Sequence, residues 1–152
     1  MIDFANLQKP AIVTKWHTYT YAEIQKLIQQ YAAMSRNIES DKVAIVSENR
    51  SEWIFAFYAG WLNGKIVVPI DHTASVDDVA YMLNDSRPGV VYYSNGKKET
   101  IIEASRQLQY KPEFVCLDES VDVIQPLIRH ITHPDIGFVC AICKISYCRF
   151  RI

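Results

Sequence analysis

The C-terminal part of the sequence holds a cluster of potential zinc ligands. His130, His133, Cys140, Cys143 and Cys148 combine H-x-x-H with C-x-x-C spacing, which supplies enough imidazole and thiolate groups for a tetrahedral site. A C-x-x-C knuckle turns tightly and usually contains Gly or polar residues, whereas the two residues between Cys140 and Cys143 are apolar. Zinc binding is therefore the less favoured hypothesis, and we assign no metal ligand.

Two pairs of adjacent carboxylates, Asp77-Asp78 and Asp118-Glu119, have the chemistry to bind a metal ion or to act as an acid and a base. Asp77 and Asp78 fall in the first turn of a predicted helix, where negative charge stabilises the helix dipole, so we expect a structural role there. The sequence contains no G-x-G-x-x-G, G-x-x-x-x-G-K-[ST] or G-x-S-x-G motif. We nominate no catalytic residue and no cofactor-binding residue.

The 152 residues have the composition of a globular protein, with 49% hydrophobic residues, 22% charged residues and a formal net charge of −1. The sequence therefore lacks the excess of positive charge that is typical of proteins that bind nucleic acid or an anionic membrane. The longest apolar run, residues 53–62, is too short to span a bilayer, and the N-terminus lacks a signal-peptide pattern. We expect a cytoplasmic protein with no nucleic-acid partner and no transmembrane segment.

The N-terminal third predicts two strands and a helix. Residues 11–16 and 18–21 have the pattern of short strands, and Thr20 with Glu23 has the spacing of a capping box that opens a helix. Five apolar residues at helical spacing form the expected buried face of that helix: Ile24, Leu27, Ile28, Tyr31 and Ala32.

Strands and helices then alternate along the chain. Short β-branched runs predict strands at residues 43–46, 66–68, 90–93 and 114–117, of which the first is expected to be central and the second buried and closed by Pro69. Helices are predicted at residues 53–62, from Ser75 onward, and at residues 98–109. The result is a three-layer α/β fold, in which helices cover both faces of a mostly parallel sheet of four or five strands.

The helix at residues 53–62 carries two further expectations. Asn49 and Glu52 repeat the capping spacing before it, and its nearly all-round apolar surface predicts a helix buried between layers. Gly60 predicts close packing, and Asn63-Gly64 predicts a left-handed C-terminal cap.

Several segments resemble a known family in order and spacing. They are Thr18-Tyr19-Thr20-Tyr21-Ala22-Glu23-Ile24, Asp41-Lys42-Val43-Ala44-Ile45-Val46, Glu48-Asn49-Arg50-Ser51-Glu52-Trp53, Gly64-Lys65-Ile66-Val67-Val68-Pro69-Ile70 and Tyr81-Met82-Leu83-Asn84-Asp85-Ser86-Arg87-Pro88 with Val90-Val91-Tyr92-Tyr93. Over about residues 10 to 139, the chain resembles the N-terminal region of AMP-dependent synthetases and ligases, and most of all long-chain fatty acyl-CoA synthetases.

The resemblance implies an adenylate-forming enzyme. Such enzymes use ATP to convert a carboxylate into an acyl-adenylate, release pyrophosphate, and transfer the acyl group to coenzyme A or a carrier thiol. In the family, the phosphate loop, the adenine-binding segment, the magnesium-binding Glu and the catalytic Lys follow the region matched here. The resemblance therefore implies ATP, Mg²⁺ and CoA for the full-length family, none of them for these residues, and a chain that is inactive alone.

The same resemblance divides the chain into residues 1–139, a partial AMP-binding N-terminal domain, and residues 140–152, a divergent Cys-rich tail. Residues 133–139 resemble the strand that leads into the family's phosphate loop, where T-S-G-T-T-G is expected next. We expect a frameshift or premature end near Cys140. If no reading frame downstream of codon 139 encodes a Thr/Ser/Gly-rich loop followed by Pro-Lys-Gly, that expectation is wrong.

A free-standing α/β module that binds a small molecule or a protein is the main alternative. Its ligand would lie at the carboxyl ends of the strands, around residues 47–49, Asp71-His72 and Ser94-Asn95. A partial domain should instead expose the apolar faces of residues 53–62 and of the sheet, and should self-associate through them.

Overall fold

The structure is a computed structural model that describes residues 7–119 of the chain. Its strands are β1 (Pro10–Val13), β2 (Thr18–Thr20), β3 (Lys42–Val46), β4 (Ile66–Ile70), β5 (Val90–Tyr93) and β6 (Glu113–Cys116). Its helices are α1 (Tyr21–Ser35), α2 (Ser51–Leu62), α3 (Val76–Ser86) and α4 (Lys98–Ser105), with a short 3₁₀ turn at Asn95–Lys97 before α4.

Four strands form one parallel sheet in the order β4-β3-β5-β6, and β1 pairs with β2 as a separate antiparallel ribbon. From β3 the chain first forms β4 on one side of β3. It then passes to the other side of β3, where it forms β5 and, beyond it, β6. A sheet wound in both directions from its first strand is doubly wound. The predicted parallel α/β architecture is confirmed, with β3 in a central position.

Alternation of side chains along β3 and β5 divides the core into two clusters. Val43 and Ile45 point to the face covered by α1 and α2, whereas Ala44 and Val46 point to the face covered by α3 and α4. All four side chains are at most 1% exposed. A strand buried on both faces needs a continuous apolar run, and this explains the uninterrupted sequence of β3.

Helix α1 begins as predicted. The Thr20 amide donates to Glu23 Oε2 at 2.7 Å, and the Glu23 amide donates to Thr20 Oγ1 at 3.3 Å, which completes the capping box. Of the predicted stripe, Ile24, Ile28, Tyr31 and Ala32 are buried, and Leu27 packs against the same cluster while remaining partly exposed.

Helix α2 departs from two predictions. Its N-cap is Arg50, and no side-chain cap forms, because a guanidinium has only donors and cannot accept from a helix amide. Glu52 Oε2 instead accepts from Arg50 Nε at 2.8 Å and from the Ser51 hydroxyl at 3.1 Å. The predicted cap at Asn49 is therefore wrong.

Among the described residues, the fully buried positions of α2 lie on one side, and Trp53, Phe57 and Tyr58 are partly buried against the same core. Trp61 and Leu62 are 65% and 58% exposed, so the prediction of a helix buried between layers is wrong at its C-terminal end.

Two glycines in and after α2 have different roles. A Cβ on Gly60 would lie 2.7 Å from Val67 Cγ2 and 2.9 Å from Val43 Cγ2, so the helix rests directly on the sheet there, as predicted. Gly64 has φ +67 and open space around it, and it provides the predicted left-handed turn after the helix.

Strand β4 is an edge strand in the described part of the chain, with Ile66 exposed, so the prediction of a buried strand is wrong. The Ile66 amide donates to Asp41 O at 2.8 Å and therefore points toward β3. Successive amides along a strand point alternately to the two sides of the strand. Position 69 therefore faces the free edge, where a proline breaks no ladder hydrogen bond. This explains why β4 continues through Pro69 to Ile70.

Helix α4 ends four residues earlier than predicted. The amides of Arg106, Gln107 and Leu108 donate to carbonyls three residues back instead of four, so the α-helix tightens into turns after Ser105. Within residues 7–119, no helix has the length and apolar character needed to cross a membrane.

Candidate functional site

The carboxyl edge of the sheet is the candidate site. In a doubly wound sheet, ligands bind outside the carboxyl ends of the strands at the point where the winding direction changes. That point lies between β3 and β5, because β3 leads into α2 on one face and β5 leads toward α4 on the other. Residues 47–50, 94–95 and 117–118 follow the three strands that meet there.

Glu48 and Ser94 join the ends of β3 and β5. The hydroxyl of Ser94, a fully buried residue, donates to Glu48 Oε2 at 2.6 Å. This hydrogen bond stabilises the ionised carboxylate and is the main reason why the pKa of Glu48 lies below its ordinary value of 4.5. The Ser94 amide also donates to Val46 O at 3.3 Å, which extends the parallel ladder by one residue.

Arg50 stands at the centre of the edge and contacts three carboxylates. Its Nε donates to Glu52 Oε2 at 2.8 Å, its Nη1 donates to Asp118 Oδ1 at 2.7 Å, and the same Nη1 lies 3.7 Å from Glu48 Oε1. Burial lowers the pKa of Arg50, but the hydrogen bonds to Glu52 and Asp118 more than compensate, and the net shift is upward. The guanidinium is thus a permanent internal counter-ion.

Asp118 connects β6 to this network. Its second oxygen, Oδ2, accepts a 2.6 Å hydrogen bond from the Asn95 amide at the start of the 3₁₀ turn. Burial raises the pKa of Asp118, but the Asn95 amide and Arg50 outweigh it, and the pKa lies below the ordinary value of 3.8. Both carboxylate oxygens of Asp118 are therefore used within the fold.

The predicted ligand-binding residues of the free-standing module lie at one edge of the sheet. Glu48 contacts Ser94, and the parallel pairing of Val46 with Ile70 places Asp71 and His72 beside residue 47, in the turn that follows β4. There Asp71 Oδ1 accepts hydrogen bonds from the Thr73 amide and the Thr73 hydroxyl, both at 2.7 Å. These bonds, the amide first, lower the pKa of Asp71.

The remaining candidates lie elsewhere or outside the described residues. Asp77 and Asp78 fall in the first turn of α3, where Asp78 accepts from the Ser75 hydroxyl at 2.7 Å and Asp77 accepts from Gln107 at 2.9 Å. The five potential zinc ligands and residues 140–152 lie outside the described part of the chain. Within residues 7–119, no three His, Cys, Asp or Glu side chains are arranged to hold a metal ion.

Arg50 is the site residue that our sequence interpretation missed. Glu48 is among the predicted carboxyl-end residues and Asp118 among the candidate carboxylates, but nothing local to Arg50 indicates a partner 68 positions away. Its place shortly after a predicted central strand is the signal that could have identified Arg50 as a site residue, because residues that follow parallel strands lie together at one edge of the sheet.

The charged groups at the edge are engaged with one another. Mg²⁺ binds carboxylate oxygens, and phosphates bind cations and backbone amides, so either would compete with contacts already made here. Arg50 lies among three carboxylates, and the Asn95 amide is bound to Asp118. The arrangement is suited to joining the ends of three strands.

The described residues thus define a doubly wound, three-layer α/β protein. The chain belongs to the AMP-binding enzyme family, whose sequence model matches residues 5–131. The predicted resemblance is confirmed at this level.

The curated relatives include enzymes that join acids to CoA. The chain is 28% identical to 4-hydroxybutyrate–CoA ligase 2 of Metallosphaera sedula over 73% of its own length and 20% of the relative's. It is 26% identical to fatty acyl-CoA synthetase B of Dictyostelium discoideum over 71% of its length and 16% of the relative's. The chain therefore spans a fifth or less of these relatives.

Solved structures with the same fold are adenylate-forming enzymes. A benzoate CoA ligase from Burkholderia xenovorans superposes with a TM-score of 0.71 at 17% identity, over 80% of this chain and 26% of that one. The anthranilate CoA ligase AuaEII, in complex with anthranoyl-AMP, superposes with a TM-score of 0.70 at 18% identity, over 74% of this chain and 22% of that one. At these identities the likeness establishes the fold.

Proposed function

We propose that this chain forms the first α/β lobe of an ATP-dependent acyl-CoA synthetase, which converts a fatty acid to an acyl-adenylate and then to acyl-CoA. By itself the chain does not catalyse adenylation. Family membership and the two CoA-ligase relatives support the reaction class. In this proposal the lobe supplies a rigid sheet, while the groups that contact ATP, Mg²⁺ and CoA belong to the rest of the enzyme.

The family match over residues 5–131 carries the proposal, and the arrangement of Arg50 supports the proposed inactivity. Transfer of an adenylyl group develops charge on phosphate oxygens, and enzymes stabilise it with free cations and backbone amides that point at the phosphate. At this edge the guanidinium is held by Glu48, Glu52 and Asp118, so it is not free to bind a phosphate. This supports the proposal that the edge joins strands and that the rest of the enzyme binds the nucleotide.

An exchange assay tests inactivity. The purified 152-residue chain is incubated with ATP, Mg²⁺, labelled pyrophosphate and either a fatty acid of varied length or 4-hydroxybutyrate, with a complete acyl-CoA synthetase as the positive control. We expect no acid-dependent exchange above background, and no tight binding of ATP by equilibrium dialysis. Acid-dependent exchange would overturn the proposed inactivity, and tight ATP binding without exchange would favour the free-standing module.

A chimera tests the lobe itself. Residues 7–119 replace the matching segment of 4-hydroxybutyrate–CoA ligase 2, and the exchange activity of the folded chimera is compared with that of the parent enzyme. We expect measurable acid-dependent exchange, because the parent retains every other segment. A folded chimera with no exchange would contradict the proposed role.

A cytoplasmic location is part of the same proposal. The free buried thiol of Cys116 is compatible with a reducing compartment. Cell fractionation with antibody detection tests it.

A further inference from the structure

The tripeptide Asn-Gly-Lys occurs twice in the chain, at residues 63–65 and 95–97. An Asn-Gly pair can lose ammonia without an enzyme. The backbone nitrogen of the glycine bonds to the side-chain carbonyl carbon of the asparagine, and the carboxamide nitrogen leaves as ammonia with the proton that the glycine amide gives up. Water then opens the cyclic succinimide to aspartate or isoaspartate. Glycine favours ring closure because it has no Cβ to hinder the attacking nitrogen.

The first pair is held by the fold at the end of α1. Asn63 Nδ2 donates to Ala32 O at 2.7 Å and to Ser35 Oγ at 3.0 Å. The attacking nitrogen is engaged as well, since the Gly64 amide donates to Trp61 O at 3.0 Å. These hydrogen bonds stabilise the native arrangement, and the reacting atoms must leave it before the ring can close. Ring closure at Asn63 should therefore be slow in the folded protein.

The second pair lies in an open environment at the carboxyl edge of the sheet. Asn95 and Gly96 are both exposed, and a Cβ built on Gly96 would meet nothing within 4 Å. The first internal hydrogen bond of the 3₁₀ turn joins the Lys97 amide to Ser94 O at 2.8 Å. The Gly96 amide precedes that bond and has no acceptor within the turn.

The backbone of Asn95 is bound, but its carboxamide is not held as that of Asn63 is. In the described part of the chain, its amide donates to Asp118 Oδ2 and its carbonyl accepts from the Lys98 amide. A helix of a single turn is marginally stable, so the turn can open locally to the geometry that ring closure needs. Two tripeptides of identical sequence are therefore placed in opposite situations by the fold.

We propose that Asn95 is a site of spontaneous deamidation in the folded protein, and that the fold protects Asn63 from the same reaction. The inference is independent of the proposed function. Either product places a new carboxylate on the residue whose amide is bound to Asp118. In isoaspartate the chain continues through the former side chain, so the carbonyl that accepts from the Lys98 amide becomes that carboxylate. The reaction therefore adds negative charge beside Asp118 and alters the start of α4.

Peptide mapping by mass spectrometry tests the proposal on the full 152-residue chain. Folded protein, verified by circular dichroism, and protein unfolded in urea are kept at mildly alkaline pH in heavy-oxygen water. Hydrolysis of the succinimide incorporates one solvent oxygen, which distinguishes this reaction from earlier deamidation. In the folded chain we expect residue 95 to gain label at least about tenfold faster than residue 63, the difference that two hydrogen bonds supply. In urea the two rates should be similar.

Gly96→Ala is the matched control, because its methyl group hinders the attacking nitrogen but meets no atom of the fold within 4 Å. It should slow labelling at residue 95 several-fold and leave residue 63 unchanged. Equal rates at the two residues in the folded chain, no label at residue 95 while it is labelled in urea, or an unchanged rate in Gly96→Ala would each overturn the proposal. Faster labelling of residue 95 that depends on the fold and on Gly96 supports it.

Discussion

At the scale of single residues, Arg50 links the loop after β3 to the segment that follows β6. Its guanidinium contacts Glu48 at the end of β3, Glu52 in α2 and Asp118 after β6, and all four side chains are partly buried. Three carboxylates at such distances repel one another when no cation lies between them. The loops of the carboxyl edge therefore depend on Arg50 for their arrangement.

Replacement of Arg50 should destabilise the fold. Arg50→Ala leaves the three carboxylates without their counter-ion, and we expect the free energy of unfolding to fall by about 1–3 kcal/mol at pH 7, between the costs of exposed and buried pairs. Urea denaturation measures the change. Arg106→Ala, at an exposed position, is the control and should change stability by no more than about 0.5 kcal/mol. Equal effects of the two substitutions would contradict the role of Arg50.

The cost of Arg50→Ala should also depend on pH. Burial raises the pKa of Asp118, but the Asn95 amide and Arg50 lower it below its ordinary value of 3.8, so ionised Asp118 stabilises the folded protein above that value, and this stabilisation is lost as the pH falls through the lowered value. At Glu48 the Ser94 hydroxyl is the main cause of the lowered pKa and Arg50 contributes less, so most of that shift remains in the variant. The difference between parent and variant should therefore be largest near neutral pH and should shrink below about pH 4. A constant difference down to pH 3 would show that the substitution acts through lost packing.

At the scale of elements, the position of α2 depends on the absence of a side chain at Gly60. The helix lies so close to the sheet that Val43 and Val67 occupy the space a Cβ would need. Phe55, Ala56 and Ala59 are buried in the core, and Trp53, Phe57 and Tyr58 pack against it while partly exposed. One small residue therefore sets how closely α2 approaches the sheet.

Gly60→Ala should destabilise the protein although alanine is the better helix former. The helix propensity gain is about 1 kcal/mol, but overpacking a tight contact costs about 1–3 kcal/mol, and we expect a net loss of about 1 kcal/mol. Thermal and urea unfolding measure it. Gly96→Ala, where a Cβ meets nothing within 4 Å, should be nearly neutral. Stabilisation by Gly60→Ala would show that the helix moves away from the sheet at little cost.

At the scale of the whole molecule, one sheet joins two separate cores. β3 and β5 contribute alternate side chains to both clusters. Loss of packing on one face of the sheet should therefore also destabilise the cluster on the other face. The three tryptophans are suited to test this, because Trp53 and Trp61 belong to α2, Trp16 lies on the β1–β2 ribbon, and α3 and α4 contain none.

Leu83→Ala should therefore lower the urea midpoint measured by tryptophan fluorescence, although the tryptophans lie on the opposite side of the sheet from Leu83. Leu83 is fully buried in α3, and its truncation should cost about 2–5 kcal/mol. Circular dichroism and tryptophan fluorescence should report the same lowered midpoint in urea. Tyr81→Ala, on the same helix but 72% exposed, should leave both midpoints nearly unchanged. A fluorescence midpoint that stays in place in Leu83→Ala would mean that the two faces unfold independently.

The sequence by itself determined the local elements and the order in which they follow one another. The capping box of α1, its buried stripe, the β-branched run of β3 and the glycine after α2 act over a few residues, and the structure has them where the pattern predicts. The cap at Asn49 and the ends of β1, β4 and α4 differ from the predictions. The resemblance that led to the family rests on the same local segments.

Tertiary structure alone decided the contacts made across the sheet. Whether β4 is central or at an edge, and whether α2 is covered on one side or two, depends on which elements become neighbours, and an apolar run has the same sequence in either case. Arg50 and Asp118 meet only because parallel strands bring their carboxyl ends to one edge. Partners so distant in the chain leave no local pattern, since the fold creates the proximity that makes them a network.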